Sequence, residues 1–147
     1  MTALPGIPVF VQPGCGPGEW GNALPVLHEI RHALARLAES GESRVIDLNA
    51  MPFGPGDEER LLALLGQGEI EARLNALGVT EIRETAVPGV WLVDHRNAEG
   101  ERLVLHIEIN TVPDILRTQA PDLRDAVATL DARLAAGTSE FPPRPDS

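Results

Sequence analysis

Between residues 69 and 109 the apolar positions recur every second residue, and turn signals interrupt them at short intervals. This stretch constrains the fold more than any other, because a period of two belongs to strands with one buried face. Glu69–Leu74 and Thr80–Ala86 both alternate polar and apolar residues. Pro88-Gly89 marks a turn, and Asn97-Ala98-Glu99-Gly100 is a four-residue loop between Val90–Arg96 and Arg102–Ile109. Strands joined this tightly pair antiparallel, since parallel neighbours need a long crossover. Placing Arg96 opposite Glu101 sets Leu92 against Leu105, Val90 against Ile107 and Trp91 against His106. One face of the hairpin then carries Val90, Leu92, Leu103, Leu105, Ile107 and Ile109, and reads as core. The other carries Trp91, Val93, Val104 and His106. Being half apolar, it is either covered by a helix or kept for a partner.

Around this meander the period changes to that of helices. Leu24, Leu27, Ile30, Leu34 and Leu37 share one face of a helix that Asn22 can cap and Gly41 stops. Arg44–Leu48 is a short strand candidate. After the breaker cluster Pro52 to Gly56, Asp57 opens a second helix through Leu65, with Glu58 and Glu59 where the helix dipole favours acids. Pro113 starts a short helical turn, and Pro121 opens a last helix to about Ala136 with Leu123, Val127, Leu130 and Leu134 on one side. The expected architecture is α+β: a mostly antiparallel sheet of four to five strands packed with three helices. Residues 1–19 read as an irregular arm, 20–137 as a single α+β domain and 138–147 as a disordered tail.

Charge narrows the partners. Twenty-two acidic residues against twelve basic ones leave a net charge of −10. Such a surface repels phosphate backbones and anionic lipid heads, so neither nucleic acid nor a membrane surface is the expected partner. No apolar run is long enough to span a bilayer, the first residues lack the marks of a secretory signal, and the single Cys15 excludes an internal disulfide. A cytoplasmic protein is expected.

His28-Glu29-Ile30-Arg31-His32 is the sharpest chemical motif. Two imidazoles four residues apart on a helix can hold zinc, and the glutamate can act as base for a metal-bound water. A third protein ligand is not evident, and Arg31 places a cation between the two imidazoles. The histidines lie roughly 100–140° from the leucine stripe, which also suits two surface histidines on an amphipathic helix. Cys15, flanked by glycines, could touch a metal cluster or a partner cysteine, but one thiol is a thin ligand set for a cluster. The glycine-rich stretches lack phosphate-loop spacing, and no nucleophile, base and orienting group stand in a recognisable pattern. Trp91 on the second sheet face is a candidate anchor for a partner.

Leu65-Gly66-Gln67-Gly68-Glu69-Ile70, followed by Ile82-Arg83-Glu84-Thr85-Ala86-Val87-Pro88-Gly89-Val90-Trp91, resembles the HupH/HyaF family of hydrogenase expression/formation proteins. Upstream, Val45 to Asp57 is similar to that family's "IDLxxLPxxPxD" segment; downstream, His106–Ile109 and Val112–Leu116 resemble its "IEVxxIPxIL" segment. The likeness covers about residues 20–135. It implies a maturation factor, a chaperone or scaffold for a nickel-iron hydrogenase that acts on the iron–sulfur small subunit before export. The implied partners are that precursor and sibling maturation proteins; no cofactor and no catalytic residue are implied. Family members usually carry a second related half. This chain holds one copy, so a homodimer could stand in for the other. The expected contact surface is Pro88, Gly89, Val90 and Trp91 with Val93, Val104 and His106. The alternative is a zinc-dependent hydrolase using His28, Glu29 and His32.

Overall fold

The computed structural model describes residues 21–137. The arm 1–19 with Cys15, and the tail 138–147, lie outside the described residues. These residues fall into two compact units, 21–113 and 114–137, and each is taken by itself.

The first unit is built on a five-stranded antiparallel sheet. In chain order it contains α1 (Ala23–Ser40), β1 (Arg44–Asp47), a 3₁₀ turn (Leu48–Ala50), α2 (Asp57–Leu65), β2 (Glu71–Asn75), β3 (Val79–Glu84), β4 (Val90–Arg96) and β5 (Arg102–Ile109). The strand order is β1-β5-β4-β3-β2, so the meander pairs sequentially and β1 adds at the far edge. The α+β expectation holds.

Both helices lie on one face of the sheet. Ala23, Val26, Ile30 and Ala33 of α1 and Leu61 and Leu65 of α2 form one buried cluster with Ile46, Val90, Leu92, Leu105, Ile107 and Ile109. The buried side of α1 is rotated from the expected leucine stripe. Its buried residues are Ala23, Val26, Ile30 and Ala33, while Leu27, Leu34 and Leu37 pack against them partly buried and Leu24 is exposed. Small alanines let a helix approach a sheet closely, and the bulkier leucines then fill the flanks. Gly41 ends α1 in the left-handed conformation, its N–H bonded to the Leu37 carbonyl.

The hairpin register differs from the expected one by two residues. Val90 pairs with Ile109, Trp91 with Glu108, Leu92 with Ile107 and Val93 with His106; a bulge at His95/Arg96 then brings Arg96 opposite Arg102. A shift of two preserves the side-chain parity, so the assignment of faces survives although each partner changes. The exception is Leu103, expected in the core and half exposed. It is the extra residue of the bulge, with no partner on β4, and the apolar core begins only at Leu105. Buried Asp94 closes this end of the sheet. Arg96 Nη2 donates to its Oδ2 at 3.0 Å, Arg102 Nε stands 3.6 Å from Oδ1, and Arg102 also reaches Glu58 of α2 at 3.0 Å.

Towards the other edge the same face turns charged. Glu71 pairs with Arg83 and Arg73 with Glu81, opposite charges set directly across β2 and β3. The opposite face carries Trp91, Val93 and Ile82, all buried but separate from the α1–α2 cluster.

The second unit contains a 3₁₀ turn (Asp114–Leu116) and α3 (Ala120–Ala136), with Pro121 in its first turn. No residue of α3 is buried, and Leu123, Val127, Leu130 and Leu134 are each more than half exposed. Among the described residues no helix is long and apolar enough to cross a membrane.

Candidate functional site

Two of the stretches that carry the family resemblance meet in space. After α2, Gly66 takes φ +70°, and a Cβ there would stand 2.9 Å from the Ala86 side chain. The loop is then bonded to the end of β3: Gly68 N–H donates to the Glu84 carbonyl at 2.8 Å, and Ala86 N–H to the Leu65 carbonyl at 2.9 Å. Gly68 sits so close to this strand that a Cβ would lie 2.5 Å from the Thr85 carbonyl oxygen. Only glycine permits that approach of two backbones.

Thr85 organises the following turn. Its hydroxyl donates to the Val90 carbonyl at 2.9 Å and accepts from Val87 N–H at 3.2 Å, while its own N–H donates to the same Val90 carbonyl at 3.0 Å. Residues 85–90 are thereby closed into a loop stitched by one side chain.

Between the end of α2 and this turn lies an open groove of about 400 Å³. Leu62, Leu65 and Leu92 give it an apolar floor; Ala63, Gly66, Gln67, Arg83, Glu84 and Thr85 line the rest. It marks where the helix layer stops and the charged half of the sheet face begins. An apolar floor with a rim of one cation, one carboxylate and an amide suits an extended peptide carrying one apolar side chain.

A third resembling stretch, Val45 to Asp57, ends in a clamp at the other end of α2. Asp57 is only 4% exposed. Its Oδ2 accepts from Gly54 N–H at 2.7 Å and from Asn22 N–H at 3.3 Å, and Arg60 reaches Oδ1 at 3.4 Å. One carboxylate therefore joins the start of α1, the 52–56 loop and α2. Asn22 makes no side-chain cap bond to α1, contrary to its expected role; its amide donates to the Pro52 carbonyl instead.

The residues expected to form a contact surface are split by the sheet. Pro88 is exposed and Gly89 half-buried in the 85–90 turn. Val90 is fully buried in the α1–α2 core, facing away from Trp91. Trp91 is 5% exposed, and its indole N–H donates to the Asn110 carbonyl at 3.1 Å. Val93 is buried beside it on the second face, whereas Val104 and His106 keep partial exposure, with His106 Nε2 3.9 Å from Asp47. The groove residues Leu62, Ala63 and Arg83 were not singled out from sequence. They lie on different elements, α2 and β3, and no local pattern in the sequence links them.

His28 and His32 are both exposed on α1 and line one shallow groove with Glu29, Arg36 and Arg44. Glu29 is engaged by Arg44 rather than free as a base. Among the described residues no three histidine, cysteine or carboxylate side chains stand together as a metal-binding group.

Comparison with known proteins gives the chain its relatives. Residues 21–136 match the model of the C-terminal conserved region of the HupH hydrogenase expression protein. Hydrogenase expression/formation protein HupH of Rhizobium leguminosarum bv. viciae is 28% identical over 128 residues, covering 87% of this chain and 45% of that protein. Protein HoxQ of Azotobacter vinelandii is 30% identical over 111 residues, covering 74% of this chain and 39% of HoxQ. The chain thus spans less than half the length of these curated relatives. Among solved structures, the hydrogenase expression protein HupH from Thiobacillus denitrificans ATCC 25259 superposes with a TM-score of 0.76 at 45% identity, over 80% of this chain and 98% of that one. With the fold, the motifs and the family model in agreement over residues 21–136, this chain belongs to the family defined by the HupH C-terminal conserved region.

Proposed function

We propose that this chain is an accessory factor in hydrogenase maturation, a holding chaperone or scaffold that docks onto a client and transforms no substrate. The client is the iron–sulfur small-subunit precursor of a nickel-iron hydrogenase, held in the cytoplasm before export together with sibling maturation proteins. One observation carries the reading. The residues that give the chain its family resemblance spend their polar groups on architecture: Asp57 clamps three segments, Thr85 stitches a turn, Gly66 and Gly68 admit a backbone. What they leave open to a ligand is the groove beside Leu62 and Leu92. A groove framed by rigid backbone suits recognition, since a preorganised surface has little order left to gain on binding.

The groove, with the exposed Pro88 turn next to it in sequence, is the proposed contact. Val104 and His106 on the opposite face, and buried Trp91 and Val93, are not needed for it. The test is capture of the small-subunit precursor by affinity-tagged protein in a host that makes both. Wild type should retain the precursor. Ala63→Arg, a change at an exposed helical position lining the groove, should lose it while keeping the circular dichroism of the fold. Leu77→Asn, at a fully exposed turn, should bind like wild type. Wild type that captures no precursor overturns the maturation reading; full capture by Ala63→Arg overturns the groove.

A further inference from the structure

In the second unit, α3 carries an apolar stripe that is exposed among the described residues. On α3, Leu123, Val127, Leu130 and Leu134 follow one another at intervals of four, three and four residues. This is the a/d spacing of a coiled-coil seam, with Val127 and Leu134 at a and Leu123 and Leu130 at d. All four are more than half exposed. We propose that α3 pairs antiparallel with α3 of a second copy of this chain.

Charge placement selects the second copy and its direction. With Val127 layered against Leu130 of the second copy and Leu123 against its Leu134, the flanking e positions come face to face across the seam. Those positions are Arg124 and Asp131, opposite in sign. A twofold axis brings Arg124 beside Asp131 of the other helix twice, and the isologous arrangement closes on itself. A parallel pair would set e against g, bringing Asp131 against Ala126 and Arg124 against Gln119, with no ion pair. The outer face, with Asp122 and Asp125 and no basic stripe, is wrong for an anionic lipid surface.

The seam is short. Seventeen residues extend about 25 Å at 1.5 Å per residue. The association is therefore concentration-dependent rather than obligate, and it does not depend on the client reading above.

Sedimentation of the full chain tests it, read together with thermal unfolding by circular dichroism. Wild type should move from one chain, 15.8 kDa, to twice that mass as its concentration rises. Leu130→Glu should stay at one chain with an unchanged unfolding midpoint. Arg124→Asp and Asp131→Arg should each weaken dimerisation several-fold, and the two together should restore it. Wild type that remains a single chain throughout overturns the proposal. So does a dimer indifferent to Leu130→Glu, or one in which the double reversal fails to recover. A Leu130→Glu chain that loses thermal stability as a monomer would show the seam packed on its own fold, which also refutes the pairing. If that variant does not fold, the charge reversals, confined to exposed positions, decide alone.

Discussion

Replacing Asp57 by alanine should destabilise the first unit far more than a typical change of a helix-terminal residue. The carboxylate is 4% exposed and accepts from two backbone N–H groups on separate segments. Removing it leaves the Gly54 donor, bonded at 2.7 Å, and the Asn22 donor, at 3.3 Å, without an acceptor. Each hydrogen bond lost to this buried, charged acceptor costs about 1–1.5 kcal/mol. The lost negative charge at the first turn of α2 adds about 0.5 kcal/mol. The link to Arg60 is long and partly exposed, and contributes little. The total is about 3 kcal/mol, which at about 4 °C per kcal/mol lowers the midpoint by about 12 °C. Thermal unfolding followed by circular dichroism measures the shift, and urea unfolding measures the free energy. A second substitution makes the test specific to the clamp. Gly21 has φ +41°, and a Cβ there would lie 2.2 Å from Asp57 Oδ1. Gly21→Ala should therefore cost more in the presence of Asp57 than in its absence, where only about 1 kcal/mol of backbone strain remains. A loss below about 1 kcal/mol for Asp57→Ala would refute the clamp. An equal Gly21→Ala penalty in both backgrounds would do the same.

Gly68→Ala should cost about 3 kcal/mol, because its new Cβ meets the backbone oxygens of Thr85 and Glu84 at 2.5 and 3.0 Å and neither can turn aside; urea unfolding reads it, with faster amide exchange at position 68. Thr85→Val should cost about 1–2 kcal/mol by removing the hydroxyl that bonds Val90 and Val87, whereas Thr85→Ser should retain most of the stability. Faster exchange of the Val87 amide is the local signature of the valine variant, and its absence would detach Thr85 from the turn.

The layout of the sheet was legible because period-two alternation and Pro-Gly turns are local signals. The sequence order of helix, strand, helix, meander and helix is the one the structure adopts. The hairpin register was not legible, since it depends on a bulge at His95/Arg96 that a four-residue loop does not dictate. The rotation of α1 was hidden for a related reason: leucines dominate a hydrophobic pattern, but the side of α1 that is buried also includes the small Ala23 and Ala33 and leaves Leu24 exposed. The aspartate of the "IDLxxLPxxPxD" resemblance could be found in the chain, yet its role could not, because its partners are backbone groups at positions 22 and 54. The groove was invisible for the same cause. Leu62 and Ala63 on α2 and Arg83 on β3 become neighbours only once the Gly66–Gly68 loop is bonded to the strand. Trp91 shows the limit from the other side. A tryptophan on a half-apolar face reads as an anchor, whereas here its indole is bonded to Asn110 and nearly sealed.

Hydrogen exchange of the full chain, alone and with purified small-subunit precursor, probes the central claim most directly. Client docking in the groove predicts slowed exchange at residues 62–67 and 83–90, with the rest of the sheet unchanged. Exchange that is identical with and without precursor, or protection confined to α1 around His28 and His32, would contradict it.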